Sequence, residues 1–235
     1  VATWIGARGG AWGGVAARRR PAPGSWAGWS AMLRLFGSGC AEASPMRLGV
    51  AVSGNGSNLR NLVERGFEVV AVATNRPACG AAAFARESGI PVAELAQKNF
   101  ASGHERDGAM RDFFKGLGVE LVVDAGYDRI HSAAFVEAFR DRIVNVHPSL
   151  LPEFGGGMDA IEQALQAGAK RTGATVHVVT ADLDAGPILI QEEVPVLDGD
   201  TPETLRRRVL EAEHRILPQA IRLMEARVAK SPAVG

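Results

Sequence analysis

Three short stretches of this 235-residue chain gather the residue types that chemistry needs. The first is VSGNGSNL, residues 52–59, at the exit of an apolar run. Gly54 and Gly56 let a backbone approach an anion closely, and Ser57 and Asn58 add side-chain donors at what reads as a helix start, where free N–H groups attract negative charge. No Gly-Lys-Ser/Thr follows, so the stretch is not a Walker A loop. Leu59 stands where a dinucleotide fingerprint has its third glycine. A phosphate cradle and a cap-rich turn without ligand both remain open from this stretch alone.

The second stretch is IVNVHPSLLPEF, residues 143–154. Strand alternation sets Asn145 and His147 on one face, two residues apart, and Pro148 ends the strand. A carboxamide donor beside an imidazole can polarise a carbonyl and handle a proton. The third is TADLDAGPIL, residues 180–189, in which Asp182 and Asp184 sit in a turn closed by Gly186 and Pro187. Ordinary turn chemistry accounts for it. The sharper reading is a carboxylate held against a histidine. His177, in TGATVHVV, reads as a core residue of its strand.

These groups need elements to hold them. LGVAVS, EVVAVAT, VELVVDAGY, IVNVH, ATVHVVT and ILIQEEVPV read as strands, and the unbroken apolar character of the early ones implies a parallel sheet covered on both faces. Helical patterns lie between them at 57–65, 79–88, 104–117, 132–140 and 159–167. The alternation predicts an α/β, doubly wound, mostly parallel sheet with helices on both faces, its later strands antiparallel. A last helix starts at Thr201 as N-cap with Pro202 and Glu203 in its first turn, and buries Leu205, Val209, Ala212, Ile216 and Ala220. Pro218 inside it removes the N–H that would bond the His214 carbonyl and predicts a kink.

Charges cancel over the whole chain, with 26 basic and 26 acidic residues. Residues 1–45 hold five arginines against Glu42 alone, which leaves the remainder mildly acidic and without the clustered cations of a nucleic-acid footprint. Cys40 and Cys79 form no metal-binding or redox spacing, so neither a disulfide framework nor a metal site is expected. Residues 1–45 show no helical or strand period and read as a disordered N-terminal extension; 229–235 read as a C-terminal tail.

Taken together, SGNGSNL, NVHPSLLP, TGATVHVVTADLDAGPIL and EAEHRILP stand in the order and approximate spacing of one family. Residues 46–228 resemble the folate-dependent formyltransferase domain, Rossmann-like, of the phosphoribosylglycinamide formyltransferases. The resemblance implies transfer of a formyl group from 10-formyltetrahydrofolate, as co-substrate and without a metal, to the amine of glycinamide ribonucleotide in purine biosynthesis. It implies Asn145, His147 and Asp184 as catalytic residues. Gly56, Ser57 and Asn58 would hold the 5′-phosphate and Glu213 the ribose hydroxyls. Arg129, Ile130, His131, Asn145, Ala181 and Asp182 would meet the folate. Small-molecule substrates, no nucleic-acid or membrane partner, a monomer or homodimer and a cytoplasmic setting follow from the same likeness.

Some positions depart from the family pattern. Asp128 and His131 replace apolar residues, Gly103 stands near an expected arginine for the folate tail with Arg106 one turn on as a substitute, and FGGGMDAIEQ, residues 154–163, replaces a Pro-Gly segment. The glycines predict a mobile lid at 154–161. Alternatives are a formyltetrahydrofolate deformylase, which shares the Asn, His and Asp but carries a longer N-terminal domain, and a nucleotide-phosphate-binding module without catalysis, which has no use for Asn145 beside His147.

Overall fold

The computed structural model describes residues 45–157 and 159–230. The extension assigned to 1–45 (all but its last residue), Met158 of the lid segment and residues 231–235 of the tail lie outside them. Seven strands form one sheet: β1 (Leu48–Val52), β2 (Val69–Thr74), β3 (Val92–Glu94), β4 (Leu121–Asp124), β5 (Ile143–His147), β6 (Arg171–Val178) and β7 (Ile188–Pro195). Their order is β3-β2-β1-β4-β5-β6-β7. The first five run parallel, and β6 and β7 are antiparallel. The expected doubly wound sheet is present, with β3 an addition to it. Its three residues follow Pro91 at the sheet edge and are too few to show a period.

Strand alternation divides the core. Leu48, Val50, Val52, Leu121, Val123, Val144 and Val146 pack with α1 (Ser57–Glu64), α2 (Gly80–Glu87), α5 (Ala160–Gln166) and α6 (Pro202–Lys230). Ala51, Val122 and Ile143 face the other way, toward α3 (Gly103–Gly116) and α4 (Ala133–Ala138), through Met110, Phe114, Phe135 and Phe139. Asp124, Asn145, His147 and His177 share the parity of this second face. The chain passes from one side of β1 to the other at β4, so the carboxyl ends of β1 and β4 form the switch point where open α/β sheets place ligands.

Helix α6 begins as expected: the Thr201 hydroxyl accepts the Thr204 N–H at 3.3 Å and the Thr204 hydroxyl accepts the Thr201 N–H at 2.9 Å. Leu205, Val209, Ala212, Ile216 and Ala220 are buried. The helix continues through Pro218 to Lys230. The carbonyl of His214, which loses its partner to the proline, accepts Asn61 Nδ2 from α1 at 2.9 Å. A side chain of the neighbouring helix thus satisfies the acceptor that the sequence pattern left orphaned. Among the described residues no helix is long and apolar enough to cross a membrane.

Candidate functional site

The loop between β1 and α1 is an anion cradle in form. Gly56 takes the left-handed conformation (φ 78°) and caps α1 without a side-chain bond, and no acid sits in the first turn of that helix. A Cβ on Gly56 would lie 2.6 Å from the Cβ of Ala81, so only glycine lets the loop pack against the start of α2. Ser57 opens α1 with the N–H groups of its first turn uncapped. Asn58 is buried, and its Nδ2 donates to Glu213 Oε2 on α6 at 2.7 Å. Burial pushes the Glu213 carboxyl up to about 7, against the lowering effect of the Asn58 bond.

Glu213 also lines a cavity of about 370 Å³ at the carboxyl ends of β4 and β5. Asn145 and His147, which strand alternation puts on one face, line its wall together with Asp184, and His177 joins them. The expectation that His177 is plain core is therefore incomplete: it is 2% exposed, yet it sits among the polar groups. Its Nδ1 lies 3.1 Å from the Val178 carbonyl, which fixes a proton there. Its Nε2 lies 3.1 Å from Asn145 Nδ2, one polar neighbour of an amide that carries two hydrogens and so keeps one for a ligand. The signal was in the register, because His177 pairs directly with Asn145 across β5 and β6.

Asp184 takes a left-handed backbone (φ 51°) in the turn that Gly186 closes, where a Cβ on Gly186 would collide with the Val178 carbonyl at 1.8 Å. That turn aims the carboxylate at both histidines. Oδ1 is 3.6 Å from His177 Nε2, and Oδ2 is 3.9 Å from His147 Nδ1. The pull of His177, with the Gly156 N–H at 2.8 Å and His147, outweighs burial and holds the Asp184 carboxyl below the usual range. His147 Nε2 lies 3.2 Å from the Phe154 carbonyl. The glycine-rich segment expected to form a lid therefore contacts both His147 and Asp184 through its backbone.

The loop after β4 adds to the lining. Arg129, Ile130 and His131 line the cavity, as do Ala181 and Asp182 from the turn before β7. Ile130 is 71% exposed and Leu183 is 53% exposed, so each of these two segments brings an exposed apolar side chain to the cavity. The His131 side chain is 3% exposed and stacks on Tyr127 and Phe135, with Nε2 3.0 Å from each Asp124 carboxylate oxygen. Asp128 lines the cavity too, but its carboxylate is committed away from His147: it accepts from Ser53 at 3.0 Å and Asn75 at 2.6 Å and pairs with Arg76. These bonds, with Arg76 and Arg129, overcome desolvation and lower its pKa. Arg106 does not replace the missing arginine at 103. It is 3% exposed, bonded to Asp107 and Gln97, and cannot reach a ligand's tail.

Comparison with known proteins matches this geometry to one family. A formyl transferase family model aligns with residues 46–221. Phosphoribosylglycinamide formyltransferase of Mycobacterium tuberculosis is 42% identical over 184 residues, covering 76% of this chain and 85% of the relative. The trifunctional purine biosynthetic protein adenosine-3 of Gallus gallus is 40% identical over 192 residues, which are 79% of this chain and only 19% of that protein. The chain thus spans about a fifth of the trifunctional relative's length. The crystal structure of glycinamide ribonucleotide transformylase 1 from Symbiobacterium toebii superposes with a TM-score of 0.74 at 42% identity, covering 77% of this chain and 87% of that one. With a family model matching three quarters of its length and the site residues gathered at the carboxyl ends of β4 and β5, the chain belongs to the formyl transferase family.

Proposed function

We propose that this protein is a phosphoribosylglycinamide formyltransferase, moving the formyl group of 10-formyltetrahydrofolate to the amine of glycinamide ribonucleotide. The observation that carries the reading is the convergence of Asn145, His147 and Asp184 in one cavity whose far end, through Glu213 and Asn58, joins the anion loop. A pure phosphate-binding module needs only the second half of that arrangement. The names of the relatives support the same reading.

In this mechanism Ser57, Asn58 and the free N–H groups at Gly56 and beyond take the 5′-phosphate. Glu213, once ionised, accepts from the ribose hydroxyls. The amine attacks the formyl carbon and a tetrahedral oxyanion forms. Asn145 donates its free amide hydrogen to that oxygen, and protonated His147 adds a charge-assisted donor. Because Nδ1 of His147 faces Asp184, Nε2 is the nitrogen left for substrate, so the Phe154 contact must give way when the oxyanion forms. Asp184 stabilises the imidazolium. The separation of 3.9 Å from His147 leaves the carboxylate free to orient a water that carries the amine proton to the departing folate nitrogen. Arg129, Ile130 and the backbone of His131 receive the folate together with Ala181 and Asp182. The same reading implies small-molecule partners, a cytoplasmic setting, and a monomer or homodimer.

The test is an assay of tetrahydrofolate release that depends on glycinamide ribonucleotide. Nucleotide-dependent release supports the assignment. Release at the same rate without nucleotide identifies a deformylase instead, and no release with either overturns the enzymatic reading.

A further inference from the structure

The cavity wall carries a second buried ionisable pair for which the proposed reaction has no use. Asp124 and His131 are 8% and 3% exposed at their side chains, with His131 Nε2 at 3.0 Å from both carboxylate oxygens. They stand at the two ends of the six-residue loop Ala125–Ile130, which presents Arg129 and Ile130 to the cavity. The His131 ring is sandwiched, 5.3 Å from Tyr127 at 20° and 4.3 Å from Phe135 at 14°. The next residue is pinned as well: Asp107, itself held by Arg106, accepts the Ser132 N–H at 2.5 Å. At the loop's middle Asp128 is tied to Ser53, Asn75 and Arg76.

A buried ion pair is a poor device for stability alone, since apolar residues of the same volume serve as well or better. What it adds is a fixed geometry. Here that geometry closes the base of a loop whose tip, Ile130, is 71% exposed and has no packing of its own to orient it. The foot of the pair also has a defined address: Asp124 is the register partner of Asn145 across β4 and β5. Burial lowers the pKa of His131, but the charge and hydrogen bond of Asp124, with Asp107 behind it, raise it by more, which agrees with a charged pair.

We propose that Asp124 and His131 form a positioning pair for the formyl donor: by stapling the base of the Ala125–Ile130 loop they hold Arg129 and Ile130 in the orientation that receives the donor's ring system, without touching the transferred group. The proposal rests on the formyl-transfer reading above. It predicts a specific kinetic split. Releasing the loop makes donor binding bear the cost of ordering it, whereas the nucleotide site, built on α1 and α6, is unaffected.

The experiment compares steady-state kinetics of the parent, His131→Leu, the apolar double variant Asp124→Leu/His131→Leu, and His131→Gln, which keeps a side-chain N–H donor for Asp124. His131→Leu should raise KM for 10-formyltetrahydrofolate about tenfold, with KM for glycinamide ribonucleotide within about twofold and kcat within about threefold of the parent. The double variant, which leaves no buried charge unpaired, should show the same donor effect rather than twice its logarithm, because both changes remove one pair. His131→Gln should recover most of the loss. If His131→Leu fails to fold, the double variant carries the same test. An unchanged donor KM in a folded variant, or equal rises in both KM values, overturns the proposal while the functional reading stands. A parent without transfer activity overturns both.

Discussion

Glu213 is the group whose charge the fold alters in a way that folding and binding experiments both read. The ordinary glutamate value is 4.5, and burial beside Asn58 raises it to about 7. Between those two values the unfolded chain has lost its proton and the folded chain has kept it. The native state then binds more protons than the unfolded state, so stability falls as pH rises, at up to about 1.4 kcal/mol per unit. The full interval corresponds to about 3 kcal/mol. Because the side chain borders a cavity, water lowers the figure, and about 1–3 kcal/mol is the working range. The contribution is complete below pH 4.5 and gone above about 7. Glu213→Gln keeps the shape and an acceptor for Asn58 without the charge. At pH 8 it should melt about 3–10 °C above the parent, with the two curves converging below pH 5, by the usual ~2–4 °C per kcal/mol for a domain of this size. Thermal melts from pH 5 to 8.5 provide the measurement. Parallel curves over that range would refute the reasoning. Binding gives the second half: ribose hydroxyls donate to the ionised carboxylate, so nucleotide binding at pH 6.5 should release a proton. Calorimetry in buffers of different ionisation enthalpy measures it, and zero release contradicts the assignment of Glu213 to the ribose.

His147→Ala and Asp184→Asn should each lower turnover by about 10²- to 10³-fold, the scale of a lost transition-state donor, while nucleotide affinity stays near the parent value; losses under tenfold in both would remove these residues from the chemistry. Gly56→Ala places a Cβ 2.6 Å from Ala81 in a left-handed backbone, so nucleotide affinity and melting temperature should fall together, and an unaltered nucleotide Kd would mean that the loop does not hold the phosphate. Asn61→Leu strips the His214 carbonyl of the side-chain donor that stands in for the N–H Pro218 lacks and should cost about 1–3 kcal/mol in urea unfolding, the range for an orphaned buried acceptor; a change below about 0.5 kcal/mol would show that another group satisfies it. Amide exchange at residues 154–157 should slow when nucleotide and a folate analogue are present together, and equal rates with and without them would rule out a ligand-ordered lid.

Local pattern was enough for the elements. Short apolar runs, unbroken in the early strands, define every strand long enough to stand out, and the doubly wound sheet follows from their alternation with helical patterns. The edge strand Val92–Glu94 escaped because three residues carry no period. Local pattern was also enough for Asn145 and His147, since strand alternation places positions i and i+2 on one face. Nothing local could say that Asp184 would face them, because its direction depends on a left-handed turn closed by Gly186 against the Val178 carbonyl. His177 looked like core because burial and alternation describe core and active-site wall alike; the antiparallel register that sets it opposite Asn145 is a property of two paired strands. The same holds for Asn58 and Glu213, 155 residues apart and 2.7 Å from one another. Arg106 shows the converse. Its charge reads as ligand chemistry in the sequence, and only the packing of α3 made it a buried member of an ion pair with Asp107, because the cost of burying a charge is set by the partner that the fold brings to it.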